Sequence, residues 1–237
     1  YILKPIPPAQ QLRYTDQVPE NEHLTMQIAK QIFKIPTAEN ALLYFKDGTP
    51  AYLTKRFDVA ADGTKYLQED FAQLTNRTNR TYGETFKYEG SYEEIGQLIH
   101  RFVPAAMIAA ERFFYQVVFN YIFSNGDAHL KNFSLLRNPI GEYQLTPAYD
   151  LLSTVIHSPQ ESDTALDLYE GSIDAPFFST YGYYGRPDFL ELAKRLSINL
   201  QRAEKMINHY ASRYDEVEKM VEHSFLIPEV KTLYLKN

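Results

Sequence analysis

The sequence has 237 residues, 24 Lys plus Arg against 30 Asp plus Glu, a formal net charge of -6 and 44% hydrophobic residues. That fits one large domain or two small ones with a sizeable core, and argues against disorder or a fibrous repeat. Zero cysteines exclude disulfide staples, thiolate metal sites and a cysteine nucleophile, and make a reducing, cytoplasmic setting the natural expectation. The acidic balance argues against direct nucleic-acid binding, which takes a surplus of Lys and Arg on some face.

In chain order, Tyr1 to Lys4 reads as the end of a strand, and Pro5, Pro7 and Pro8 then impose a loop. The opening shows no Met, basic region or cleavage site, so the expectation is no signal peptide and a missing N-terminal portion. Pro19-Glu20-Asn21 starts a helix, with Leu24, Ile28 and Ile32 at four-residue spacing and an end near Phe33 to Pro36. Ala41 to Lys46 and Ala51 to Phe57 flank Asp47-Gly48-Thr49-Pro50, a hairpin signal.

From Gln68 onward the pattern becomes helical, with helices expected around 68 to 75, 91 to 102 and 105 to 123. The apolar run from Pro104 to Phe123 is interrupted by Glu111, Arg112, Gln116 and Asn120, so it reads as a core helix and not a membrane span. A second hairpin is expected from Phe133 to Arg137 and Glu142 to Thr146 around Asn138-Pro139-Ile140-Gly141. The stretch from His157 to Gly185 reads as loop, followed by helices around 187 to 196 and 200 to 221. The predicted architecture is α+β and two-lobed, with a strand-rich N-lobe over residues 1 to 58 and a mainly helical C-lobe over 59 to 237.

The chemistry-bearing stretch is Asn125-Gly126-Asp127-Ala128-His129-Leu130-Lys131-Asn132, which runs through the second hairpin to Pro147-Ala148-Tyr149-Asp150. Phosphoryl transfer from ATP needs a carboxylate to orient the accepting hydroxyl, and oxygen ligands to hold Mg2+ against the phosphates. Asp127 suits the first task, Asn132 and Asp150 the second. A lone Asp127 would read as turn chemistry; the rarer pattern of Asp, five-residue step to Asn, hairpin and second Asp favours catalysis. With no Cys and no second His nearby, His129 reads as support for the phosphate end and not as a zinc ligand. Lys4, at the end of the first strand, is placed to reach nucleotide phosphates and to pair with a helix carboxylate such as Glu22, although a solvated edge lysine is the plain alternative. Lys55 and Phe57, in Leu53-Thr54-Lys55-Arg56-Phe57-Asp58, would offer backbone contacts to an adenine ring at an inter-lobe strand.

The sequence resembles the C-terminal kinase domain of the HipA family, the serine/threonine kinase toxins of bacterial toxin-antitoxin systems. The matching pieces are Tyr1-Ile2-Leu3-Lys4-Pro5, Asn21-Glu22, Lys55-Arg56-Phe57-Asp58, Gln68-Glu69-Asp70, Asn125 to Ser134 and Leu145 to Asp150, in the family's order over roughly residues 1 to 155. The resemblance implies a kinase-like fold using ATP and Mg2+. It implies Lys4 at the phosphates, Lys55, Phe57 and Asp58 at the adenine side, Asp127 as catalytic base, and Asn132 and Asp150 on the metal. His129, Lys131 and Tyr149 fall inside the family's nucleotide-binding motifs.

The resemblance also implies a HipB-like antitoxin partner and protein substrates that include aminoacyl-tRNA synthetases. The family's phosphate loop and N-terminal subdomain precede the Lys strand, and this sequence opens after both, as expected of a fragment or of a split HipT-type member whose N-terminal subdomain is a separate protein. Lys55 stands where many relatives carry an acidic residue. Two other readings remain at this point. Gly126-Asp127-Ala128-His129 with Asn132 also resembles the catalytic loop of aminoglycoside and choline kinases, which lack the Lys55 to Asp58 and Gln68 to Asp70 pattern. A degenerate kinase serving as a binding module would keep these residues without transfer.

Overall fold

The computed structural model describes residues 1–8 and 12–236; positions 9–11 of the loop expected after Pro8 lie outside the described residues. Strand β1 (Ile2–Pro5) is followed by a single 3-10 turn and helix α1 (Val18–Gln31), with Pro19 in its first turn, where the missing N–H is no loss. Strands β2 (Asn40–Tyr44) and β3 (Pro50–Thr54) form the expected hairpin, and β3 is the centre of an antiparallel sheet ordered β1-β3-β2. In that register Lys4 lies opposite Tyr52.

The expected helix over 68 to 75 is corrected. Gln68–Asp70 is strand β4, and only Phe71–Leu74 (α2) is helical. The reason is a capping box: Asp70 accepts the Gln73 N–H at 2.8 Å and the Gln73 side chain accepts the Asp70 N–H at 2.9 Å. This fixes Asp70 as an extended N-cap and leaves Gln68 to Asp70 free to pair as strand. A short helix, α3 (Asn79–Tyr82), and a 3-10 turn at Phe86–Tyr88 precede α4 (Tyr92–Phe102) and α5 (Ala106–Ile122). Strands β5 (Ser134–Arg137) and β6 (Tyr143–Leu145) form the second hairpin and complete a sheet ordered β4-β5-β6.

Beyond Asp150 the stretch read as loop contains a 3-10 turn at Ser172–Asp174 and helix α6 (Pro176–Tyr181), with α7 (Arg186–Arg195) following. The single helix expected over 200 to 221 is two, α8 (Leu200–Ala211) and α9 (Tyr214–Glu222). Buried Tyr210, Val217 and Val221 keep a helical phase across the break, so periodicity could not reveal it. A last helix, α10 (Pro228–Lys236), was not anticipated; it buries Val230 and Tyr234, whose hydroxyl meets Thr25 at 2.8 Å.

Helix α5 is the spine. Phe113, Phe114, Val117, Val118 and Phe119 are all buried, so the middle of the helix is enclosed while its first turn, with Met107 and Ile108, is exposed. Phe113 meets Phe133 edge-on at 5.2 Å, which seats the start of β5 directly on the spine. Helix α1 joins the two portions, packing against β3 on one side and α9 on the other. Among the described residues, no helix is long and apolar enough to cross a membrane.

Candidate active site

The segment after α5 is shaped by its own polar side chains. Ser124 has a left-handed backbone (φ +52°), which turns the chain out of the helix. The Asn125 amide nitrogen donates to Asn120 Oδ1 at 3.0 Å and to the Asp150 carbonyl at 3.3 Å, while the Gly126 N–H donates to Thr154 Oγ1 at 2.8 Å. Buried Tyr92 donates its hydroxyl to the Ala128 carbonyl at 2.9 Å. The loop bearing Asp127 is therefore tied to α5, to α4 and to the segment that follows β6.

A 3-10 turn at Leu130–Asn132 follows. Asn132 is buried; its Oδ1 accepts the His129 N–H at 3.1 Å and its Nδ2 donates to Asp150 Oδ2 at 3.3 Å. Asp150 sits at φ +54°, a conformation that a short polar side chain tolerates better than a bulky one. Its other oxygen accepts from Lys4 Nζ, and the same ammonium reaches Glu22 Oε1 at 2.7 Å. The cation thus bridges β1, α1 and the segment after β6. Burial works to lower the Lys4 pKa, but Glu22 and Asp150 together hold it above the ordinary lysine range. For Glu22 burial dominates, and its carboxyl is pushed up to about 7 although Lys4 opposes the shift.

Of the ten residues singled out from the sequence, the structure gathers Lys4, Asn132 and Asp150 through direct contacts, with Asp127 and His129 on the adjoining loop. Asp127 is half-buried and 3.9 Å from His129 Nε2, and it accepts a hydrogen bond from Tyr88 at 2.6 Å. His129 is buried, which lowers its pKa against the pull of Asp127. Tyr149 donates to the Lys131 carbonyl at 2.8 Å and packs its ring 5.6 Å from Phe57, joining the 55–58 segment to the loop. Lys131 is exposed, its ammonium 5.9 Å above the Phe86 ring. The Lys55 N–H is already given to the Glu39 carbonyl at 2.7 Å. Asp58 forms a two-point pair with Arg56, which holds its carboxyl below the usual range; its carboxylate braces the turn rather than meeting Lys4 or Asp150.

Sequence reasoning missed Tyr88, which had no motif to mark it, and the pin formed by Asn21. Asn21 was seen only as part of Asn21-Glu22, yet its amide bonds Ser153 and His157 across the fold.

Among the described residues no group of three or more Asp, Glu or His is arranged to hold a metal by itself. Mg2+ in phosphoryl-transfer sites is held by one or two protein oxygens together with the phosphates. Asn132 Oδ1 keeps a second lone pair beyond the one that accepts the His129 N–H, and the Asp150 carboxylate lies beside the same side chain, accepting from its Nδ2. The donor set fits a metal carried by a nucleotide.

A sheet ordered β1-β3-β2 under a helix whose carboxylate pairs a strand lysine, joined to a helical body with an Asp and Asn loop before a hairpin, defines a kinase-like α+β fold. The chain matches the HipA-like C-terminal domain over residues 1–218 and belongs to that family.

It is 28% identical over 244 residues to a putative kinase of Haemophilus influenzae, covering 95% of this chain and 68% of that protein. It is 34% identical over 163 residues to the putative kinase Y4dM of Sinorhizobium fredii, covering 63% of this chain and 37% of that one. Among solved structures it resembles HipA of Shewanella oneidensis, determined with HipB and operator DNA, at a TM-score of 0.68 and 19% identity over 91% of this chain. It also resembles the proinflammatory kinase CtkA of Helicobacter pylori, at 0.60 and 15% over 98%. At these identities the likeness is one of fold. The chain spans 52% of the HipA chain and 82% of CtkA.

Proposed function

We propose that this chain is the catalytic portion of an ATP- and Mg2+-dependent serine/threonine protein kinase, the toxin of a HipA-type toxin-antitoxin pair. The observation that carries the reading is the convergence of Lys4, Asn132 and Asp150 beside a loop that presents Asp127. Bound Mg2+ and ATP would supply the phosphoryl group and neutralise its charge. Asp127 would orient the acceptor hydroxyl and take its proton, Lys4 would hold phosphate oxygens, and Asn132 and Asp150 would hold the metal. His129, Lys131 and Tyr149 would shape the phosphate side, and Lys55, Phe57 and Asp58 the adenine side, at the division near residue 58.

A HipB-like antitoxin, a separate N-terminal-subdomain protein and a protein substrate such as an aminoacyl-tRNA synthetase belong to the same reading, as does a cytoplasmic location. The test is denaturant unfolding with and without Mg2+ and ATP, for wild type and Asp150→Asn. Ligand at 100 times its dissociation constant should add about 2.7 kcal/mol to the wild type, and the variant should lose this magnesium-dependent gain. Equal stabilisation of both proteins would remove Asp150 from the metal site.

A further inference from the structure

The Tyr88 hydroxyl donates to Asp127 Oδ1 at 2.6 Å. A catalytic carboxylate makes that kind of contact, at roughly 2.6 to 3.2 Å, with the hydroxyl whose proton it will take. The phenol holds its proton firmly, because burial and Asp127 both raise its pKa. Its ring stands edge-on to His129 at 5.3 Å, with Lys87 Nζ 4.7 Å above it.

The segment carrying Tyr88 lies at the surface, with Leu74 and Phe86 partly buried against the core. No residue from 73 to 90 is buried, and the turn at Phe86–Tyr88 lies between Gly83 (φ +75°) and Gly90 (φ +121°). Stretches with so few buried contacts open at low free-energy cost. Tyr88 also lines an open cleft of about 560 Å³ shared with Glu161, Asp163, Asp167 and Tyr184.

We propose that the Tyr88 hydroxyl occupies the place of the acceptor hydroxyl, so that the turn at 86 to 88 gates the acceptor site and the adjoining cleft receives the acceptor segment. This rests on the phosphotransferase reading of Asp127. A tyrosine that merely orients Asp127 would help transfer; a gate competes with the acceptor, and the two roles have opposite kinetic signs.

The experiment uses the full-length protein as wild type, Tyr88→Phe and Asp127→Ala, with Mg2+-ATP and dephosphorylated casein as the hydroxyl-bearing probe. The gate predicts a casein KM about tenfold lower in Tyr88→Phe, the order of factor that a hydrogen bond to a charged group supplies, with the KM for ATP unchanged. A reduced kcat at constant casein KM, or unchanged constants, overturns it. Transfer that survives Asp127→Ala removes the phosphotransferase reading itself. Loss in that variant, with Tyr88→Phe behaving as wild type, removes the gate alone. Should no form phosphorylate casein, amide hydrogen exchange over residues 84 to 90 decides: Tyr88→Phe and Asp127→Ala should both accelerate it about tenfold, and unchanged exchange overturns the gate.

Discussion

Asn21 grips the backbone of Ser153 at two points: its Oδ1 accepts the Ser153 N–H and its Nδ2 donates to the Ser153 carbonyl, each at 3.0 Å. All of these groups are buried, and the neighbouring residue on the same helix is Glu22, the partner of Lys4. The helix that positions the lysine is thereby fixed to the chain that has just left Asp150. Asn21→Ala strips a buried backbone donor and acceptor of their partners, which should cost about 2 to 4 kcal/mol. Urea unfolding measures it; a loss under about 0.5 kcal/mol would show the grip to be dispensable.

The same amide donates to His157 Nε2 at 2.9 Å, while His157 Nδ1 faces the Arg13 carbonyl at 2.9 Å. That pattern takes a neutral imidazole with its proton on Nδ1. Burial lowers the His157 pKa below its ordinary value. The folded state therefore binds this proton less readily than the unfolded one. The stabilisation is complete above about pH 6.5 and is lost as the pH falls from there toward the folded pKa. The stability lead of wild type over His157→Gln should shrink between pH 7.5 and 5.5, and a lead that stays constant would count against the assignment.

Glu20 has the opposite sign. Its Oε2 is buried without a hydrogen-bond partner, and burial, aided by Asp16, pushes the carboxyl up to about 7. The folded state holds the proton more tightly than the unfolded one, so stability declines as pH rises from about 4.5 to 7. Glu20→Gln should match wild type near pH 4.5 and exceed it by about 1 to 3 kcal/mol at pH 8. Thermal unfolding at the two pH values compares them, and a variant no more stable at pH 8 than wild type would refute the shift.

Gly126 is needed for space and not for backbone freedom. A Cβ there would overlap the Ser162 carbonyl oxygen and crowd Glu161. Gly126→Ala should cost about 1 to 3 kcal/mol by overpacking. Because displacements of an ångström at a reacting group are expensive, it should also cut phosphoryl transfer by tenfold or more. Retained activity would mean that segment 161–163 yields and leaves Asp127 in place.

The parts of the site that were legible in the sequence are those whose chemistry is local. Asp127 and Asn132 share one loop, and the hairpin between Asn132 and Asp150 announces itself through Asn138-Pro139-Ile140-Gly141. The pairing of Lys4 with Glu22, suggested by a strand lysine followed by an acidic helix start, is present at 2.7 Å. What stayed hidden depends on distant partners: nothing near Tyr88 in the sequence points to Asp127, and nothing near Asn21 points to Ser153. The Asp70 capping box was written in the sequence as Asp-x-x-Gln, but the apolar residues after it suggested a longer helix.

Lys4 is one cation shared by two carboxylates, Glu22 and Asp150. On the proposed reading, a free polyphosphate approaching this corner would find the Lys4 ammonium already engaged by carboxylates. The same polyphosphate carried on a divalent ion would offer Asp150 a cation in exchange for Lys4, leaving the ammonium to the phosphates. On that reading, the corner would favour a polyanion that arrives with its metal over a bare one, so the order in which the two meet would set the affinity.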